Sequence, residues 1–177
     1  PCIKSIKHIE RVVYMEILAK SPKNCSADEL KLFEELVFMG DEVDPNGLKD
    51  RILNAEQLFF IKEDKYVGIA ALKRPKKSYK SDVFYKAGSS DEDKYEYEIG
   101  WIYIIEEERE NGYGGMLMDS ISNYLSNNSS SKACFGTVRE NNTGMQRLFA
   151  KHGFSKVGHS YNSTRGEYSL VLYVPYV

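Results

Sequence analysis

Apolar positions recur along the chain with two periods, and the changes from one to the other predict its elements. Leu30, Phe33, Leu36 and Val37 form a helical stripe. Ser26-Ala27-Asp28-Glu29 precedes it as a capping box, in which the serine hydroxyl and the glutamate carboxylate satisfy exposed first-turn amides. Gly40 stands where a left-handed residue would end that helix. Asp44-Pro45-Asn46-Gly47 is a turn, and 48–54 suits a short second helix. Residues 57–62 and 66–73 are β-rich runs joined by a polar triplet, which predicts a hairpin. Alternation is clearest over 95–105, with Tyr95, Tyr97, Ile99, Trp101 and Tyr103 on one face and Glu96, Glu98, Gly100 and Ile102 on the other. Helices follow at 113–126, through Leu117, Ile121, Tyr124 and Leu125, and around Met145, Leu148, Phe149 and His152, closed by Gly153. A strand is predicted over 132–138, and 156–161 with 167–174 make a final hairpin. The first twenty residues fit a strand near 11–19, and the small, polar stretch 75–94 fits a loop with its tip at 88–93. The resulting order is strand, two helices, three strands, helix, strand, helix, two strands: a mixed α/β sheet with helices on its faces.

Composition narrows this to one domain over residues 1–177, with 42% hydrophobic residues, 13 Tyr and 8 Phe to fill a core. The net charge of −2 provides no general field for nucleic acid. No apolar run approaches the ~18 residues that span a bilayer, and no signal-peptide core opens the sequence, so the expectation is a cytoplasmic protein away from membranes. Cys2, Cys25 and Cys134 form no C-x-x-C pair, and His8, His152 and His159 lack ligand spacing, so no structural metal is expected. Cys134, in an apolar strand, reads as core.

The chemistry concentrates between the clearest strand and the helix after it. There Arg109-Glu110-Asn111-Gly112-Tyr113-Gly114-Gly115 allows a tight turn whose following backbone amides point outward, an arrangement suited to a diphosphate. Leu117 stands where a Rossmann fingerprint needs glycine, and no G-K-S/T follows for a P-loop. In sequence and context, Arg109 to Gly114 resembles the R/Q-x-x-G-x-G/A signature of the GNAT superfamily of N-acetyltransferases. Asn142, Leu148-Phe149 and Gly153-Phe154 resemble that family's second segment, after its fifth strand.

The resemblance implies a GNAT fold: a central, mostly antiparallel twisted sheet with helices on both faces and two splayed parallel strands, here 95–105 and 132–138. It also implies acetyl-CoA as co-substrate, held by Ile104, Arg109, Glu110, Asn111, Gly112, Tyr113, Gly114, Gly115, Asn142 and Phe149, with pantetheine between the splayed strands. Asn142 is equally suited to capping a helix.

Acetyl transfer needs a neutral amine, and at pH 7 a lysine-like amine lies ~3.4 pKa units, about 4.6 kcal/mol, from that form. Glu98, eleven residues before Arg109, is the first candidate for a base, by resemblance to histone-acetyltransferase-like members; Glu96 shares its parity and is the second. Where many members carry a tyrosine to protonate the departing sulfur this chain has Phe149, leaving Tyr161, Tyr168 and His152 as other acids, or no acid at all. The acidic run Asp28, Glu29, Glu34, Glu35, Asp41, Glu42 and Asp44 suits a cationic acceptor, and the basic run Lys73, Arg74, Lys76, Lys77 and Lys80 suits a charged loop. The acceptor amine itself stays open among polyamine, aminoglycoside-like molecule, protein lysine or N-terminus, and aminoacyl-tRNA. The sequence also leaves open a homodimer, and a catalytically weak CoA-binding or regulatory module of the same fold.

Overall fold

The computed structural model describes residues 14–40, 43–128 and 133–176. Seven strands form a single sheet: β1 (Glu16–Lys20), β2 (Gln57–Lys62), β3 (Tyr66–Lys73), β4 (Tyr97–Ile104), β5 (Cys134–Arg139), β6 (Phe154–Asn162) and β7 (Ser169–Pro175). Their spatial order is β1-β2-β3-β4-β5-β7-β6, antiparallel throughout except for the central pair β4 and β5. Among the described residues five α-helices accompany them: α1 (Ala27–Met39), α2 (Leu48–Leu53), α3 (Lys77–Ala87), α4 (Tyr113–Asn128) and α5 (Thr143–Lys151). None of the described helices is long and apolar enough to cross a membrane.

Alternation along the strands divides the core between two faces. Phe59, Ile61, Ala70 and Leu72 pack with α4 and α5, whereas Leu58, Phe60, Ile69 and Ala71 pack with α1 and α2. On the α1 side but at the other end of the sheet, Val83, Phe84 and Ala87 of α3 cover Phe135, Leu172 and Val174.

The capping box at α1 forms as expected and extends into an ion pair. Ser26 Oγ accepts from the Glu29 amide at 3.1 Å, and Glu29 Oε2 accepts from the Ser26 amide at 2.8 Å. Glu29 Oε1 then meets the Lys20 ammonium at 2.6 Å and the Tyr66 hydroxyl at 3.0 Å, which ties α1 to β1 and β3. Burial alone would raise the Glu29 carboxyl pKa; the Lys20, Ser26 and Tyr66 contacts outweigh it and bring the value to about 2, from an ordinary 4.5. Because the folded-state value is depressed, this contribution to stability is complete above pH 4.5 and lost as pH falls through about 2. The urea midpoint is therefore expected to fall between pH 5 and 2, and Glu29→Gln should flatten that limb. An equally steep acid limb in the variant would remove Glu29 as its source.

Four expectations are corrected. The stretch 75–94 is mainly helix: its polar face masks a short apolar side, Val83, Phe84 and Ala87, and Gly88 ends it at φ +74°. Gly40 is right-handed, at φ −72°, so it does not end α1 as a left-handed residue. The first described strand begins at Glu16 rather than 11, and 11–13 lie outside the described residues. The fourth correction concerns β4. Gly100 pairs with Ala71 but Tyr103 with Ile69, so β4 carries one extra residue there, and Trp101 takes φ +52°. The parity flips at this bulge. Tyr97 and Ile99 face α4, as do Ile102 and Ile104 beyond the bulge, while Trp101 and Tyr103 turn to α1; Tyr95, before the strand, packs under α3.

Candidate active site

The bulge opens the sheet. β4 and β5 are paired only at Tyr97–Cys134, Glu98–Phe135 and Ile99–Gly136; the ladder stops after Ile99, and beyond it the two strands no longer pair with each other. Between them lies a cleft of about 610 Å³, lined by both strands, α3, α5, the glycine turn and the β6–β7 hairpin.

At one end of the cleft is the turn from β4 into α4. After a 3-10 turn at Glu106–Glu108, Glu110 and Gly112 both adopt positive φ, +68° and +81°. Arg109 Nε donates to the Ile104 carbonyl at 3.3 Å, and its guanidinium lies 5.8 Å from the Tyr103 ring centre. Asn111 donates to Glu108 at 3.0 Å, and the Tyr113 hydroxyl donates to Glu63, fastening the start of α4 to the β2–β3 turn. Met116 is the first residue of α4 whose amide finds a helical acceptor, the Gly112 carbonyl at 3.2 Å. The amides of Tyr113, Gly114 and Gly115 have none among the described residues, which leaves the positive end of the helix available to an anion. Gly114 serves packing, because a Cβ there would come 3.3 Å from Leu148 of α5. Ile104, Arg109, Gly114, Asn142 and Phe149 all line the cleft, whereas Glu110, Asn111, Gly112, Tyr113 and Gly115 are not among its lining residues.

The Asn142 side chain caps α5, accepting from the Met145 amide at 3.0 Å. Phe149, 2% exposed, sits against Phe154 and Tyr173, with ring centres 5.2 and 5.6 Å away. Its ring occupies the space a side chain at Gly136 would need: a Cβ there would be 2.3 Å from Phe149 Cε1. The absence of that side chain lets α5 lie against β5 where the strands part.

Glu98 is the buried carboxylate of the cleft, 3% exposed. Its Oε1 accepts from the Tyr79 hydroxyl at 3.1 Å and from Thr137 at 3.4 Å, and its Oε2 lies 2.8 Å from the Lys73 ammonium. Gly100 leaves room for that ammonium, since a Cβ there would stand 2.9 Å from Nζ. Lys73 also lies 5.2 Å from the Trp101 ring centre. Burial, and then the neighbouring Glu98 charge, push the Tyr79 phenol well above its ordinary value, so it stays protonated and donates. Tyr79 escaped the sequence reading because α3 did; a helix in 75–94 would have been the signal.

Glu96 lies apart from this cluster, exposed and 3.9 Å from Arg74, which also pairs with Glu56. His152 turns away too: its Nδ1 meets the Leu148 carbonyl at 2.7 Å and its Nε2 lies 3.3 Å from Asp119. Tyr161 and Tyr168 line the cleft, and Tyr168 stacks under Arg139 at 4.1 Å. Of the acidic run, Glu29 is consumed by Lys20 and Glu35 pairs with Lys31 within α1; Val37, Met39, Gly40 and Val43 are what this region contributes to the cleft, and Asp41 and Glu42 lie outside the described residues. Of the basic run, Lys73 pairs with Glu98, Arg74 with Glu56, and Lys80 donates to the Tyr95 carbonyl at 2.7 Å, while Lys76 and Lys77 are exposed.

No curated protein matches this sequence significantly. Among solved structures, Escherichia coli ElaA has a TM-score of 0.67 at 15% identity, covering 92% of this chain and 100% of its own. An acyl-CoA N-acyltransferase from Pseudomonas aeruginosa gives 0.65 at 12%, and Arabidopsis thaliana NAA60 in complex with acetyl-CoA gives 0.63 at 15%, each over 92% of this chain and 100% of its own. At such identities the likeness is one of fold. A family model described as the acetyltransferase (GNAT) family matches residues 26–154, from the α1 capping box to the start of β6. With that match over most of the sequence, the chain belongs to the GNAT acetyltransferase family, acyltransferases that take their acetyl group from acetyl-CoA.

Proposed function

We propose that this protein transfers the acetyl group of acetyl-CoA to a primary amine by direct attack in a ternary complex. The observation that carries the reading is Glu98: a buried carboxylate on the parallel strand beside the opening of the sheet, one end of the opening being the glycine turn. The diphosphate rests on the amides of Tyr113 to Gly115, and the pantetheine arm enters between β4 and β5. The amine approaches from the α3 side, where Glu98 accepts its proton directly or through water. Nitrogen bonds to the acetyl carbon, the carbon–sulfur bond breaks, and the electron pair leaves on sulfur. With Lys73 facing the acceptor side and the acidic run of α1 turned elsewhere, a cationic acceptor loses part of its support.

Phe149 has no proton to give the sulfur, and none is required: a thiol of pKa near ~8.5 leaves tolerably as thiolate at pH 7, its later protonation in solvent being downhill by about 2 kcal/mol. Phe149→Tyr is accordingly expected to change kcat by less than about tenfold. A gain of a hundredfold would show that the native site lacks a needed acid, and would favour a CoA-binding or regulatory module. The reaction itself is tested by incubating the protein with acetyl-CoA and a panel of amines while following free thiol. Binding of acetyl-CoA with no amine-dependent thiol release would refute the transferase reading.

A further inference from the structure

Tyr161 lines the same cleft as Glu98, Tyr79 and Thr137, and its hydroxyl oxygen is closed off from solvent without a hydrogen-bond partner among the described residues. Its neighbours are engaged elsewhere: Tyr79 and Thr137 both give their protons to Glu98. A buried hydroxyl that the fold does not satisfy is destabilising, so its retention calls for a reason.

The strand around it is built to hold it there. Between Val157, paired with Leu172, and Tyr161, paired with Leu170, β6 carries two more residues than β7. Gly158 occupies this bulge at φ +67°, so close to the end of α3 that a Cβ would fall 1.7 Å from the Ala87 carbonyl oxygen. The bulge is thus seated on α3, the helix that supplies Tyr79, and the two tyrosines enter the cleft from adjoining elements. Burial, with the Glu98 charge next, raises the Tyr161 phenol above its ordinary value, so it is protonated at neutral pH and able both to donate and to accept.

We propose that the Tyr161 hydroxyl binds the acceptor: its oxygen accepts one N–H of the primary amine, turning the nitrogen lone pair toward the thioester carbon while Glu98 takes the proton that nitrogen releases. The bond balance is that of the proposed transfer, on which this inference rests. Tyr161 itself stays protonated throughout and exchanges nothing with the sulfur.

The test is Tyr161→Phe, which keeps the ring and deletes its unsatisfied hydroxyl. Expected are an unchanged or higher melting temperature, unchanged acetyl-CoA binding, and a fall of about tenfold in kcat/KM for the amine, the size of one lost neutral hydrogen bond. Such a split between stability and turnover is not what a merely structural hydroxyl would give. A lower melting temperature in Tyr161→Phe would assign the hydroxyl to the fold and overturn the proposal. If the wild type acetylates amines and the variant does so with the same kcat/KM, the Tyr161 assignment falls alone; if the wild type binds acetyl-CoA and acetylates no amine, the transferase reading falls and takes this one with it.

Discussion

Glu98→Gln is expected to slow amine acetylation by roughly 10²–10⁴-fold at pH 7, the usual loss for a missing general base, while acetyl-CoA still binds. The defect should shrink as pH rises toward the amine's own pKa, because solvent then removes the proton that Glu98 would have taken. Glutamine keeps an oxygen for Tyr79 and Thr137 but deprives the Lys73 ammonium of its partner at 2.8 Å. Leaving one member of a buried pair uncompensated can cost about 3–5 kcal/mol, so the variant should also melt earlier. Combining it with Lys73→Met removes the orphaned charge. That double variant should recover thermal stability and not turnover, which separates chemistry from folding. Unchanged turnover at pH 7 in Glu98→Gln would dismiss Glu98 as the base.

Gly112→Val should abolish useful acetyl-CoA affinity. Gly112 sits at φ +81°, where a β-branched residue is a conformational outlier, and nothing lies within 4 Å of the site of its missing Cβ. The damage therefore comes from the backbone, which must leave the turn that presents the Tyr113 to Gly115 amides to the proposed diphosphate site. Losing two charge-assisted hydrogen bonds corresponds to about a hundredfold or more in dissociation constant. Gly112→Asn, which tolerates left-handed φ, should lose much less. Calorimetric titration with acetyl-CoA decides; normal binding by the valine variant would place the phosphates elsewhere.

What the sequence disclosed follows from which signals are local. The capping box of α1, the β2–β3 hairpin, the glycine turn and the apolar side of α5 are each written within a few residues, and they stand in the structure where expected. Glu98 is singled out by the family resemblance at its spacing from the glycine turn, yet its partners Lys73, Tyr79 and Thr137 arrive from three other elements that only the folded sheet assembles. Helix α3 was hidden because Lys76 offers no side-chain cap and its buried side amounts to Val83, Phe84 and Ala87, too few to impose a period on a polar stretch. The bulge in β4 was hidden for the opposite reason. Its alternation is perfect on paper, and nothing in Gly100-Trp101-Ile102 announces that pairing with β3 will slip by one residue; the slip goes with Trp101 seated against Phe33, 6.0 Å away between ring centres.

The placement of α3 makes two halves of the enzyme separable by chain surgery. It is carried by the connection between β3 and β4, neighbours whose register runs from Lys73–Glu98 inward, so the ends of the insert are fixed by a hairpin that needs no helix to close it. An exchanged segment 75–94 has to keep the apolar side Val83, Phe84 and Ala87, which covers Phe135, Leu172 and Val174, while its cleft-facing positions are free to differ. In the proposed reaction the exchanged piece carries the wall facing the amine, so acceptor preference can be transplanted as a cassette into a scaffold whose donor half is left alone.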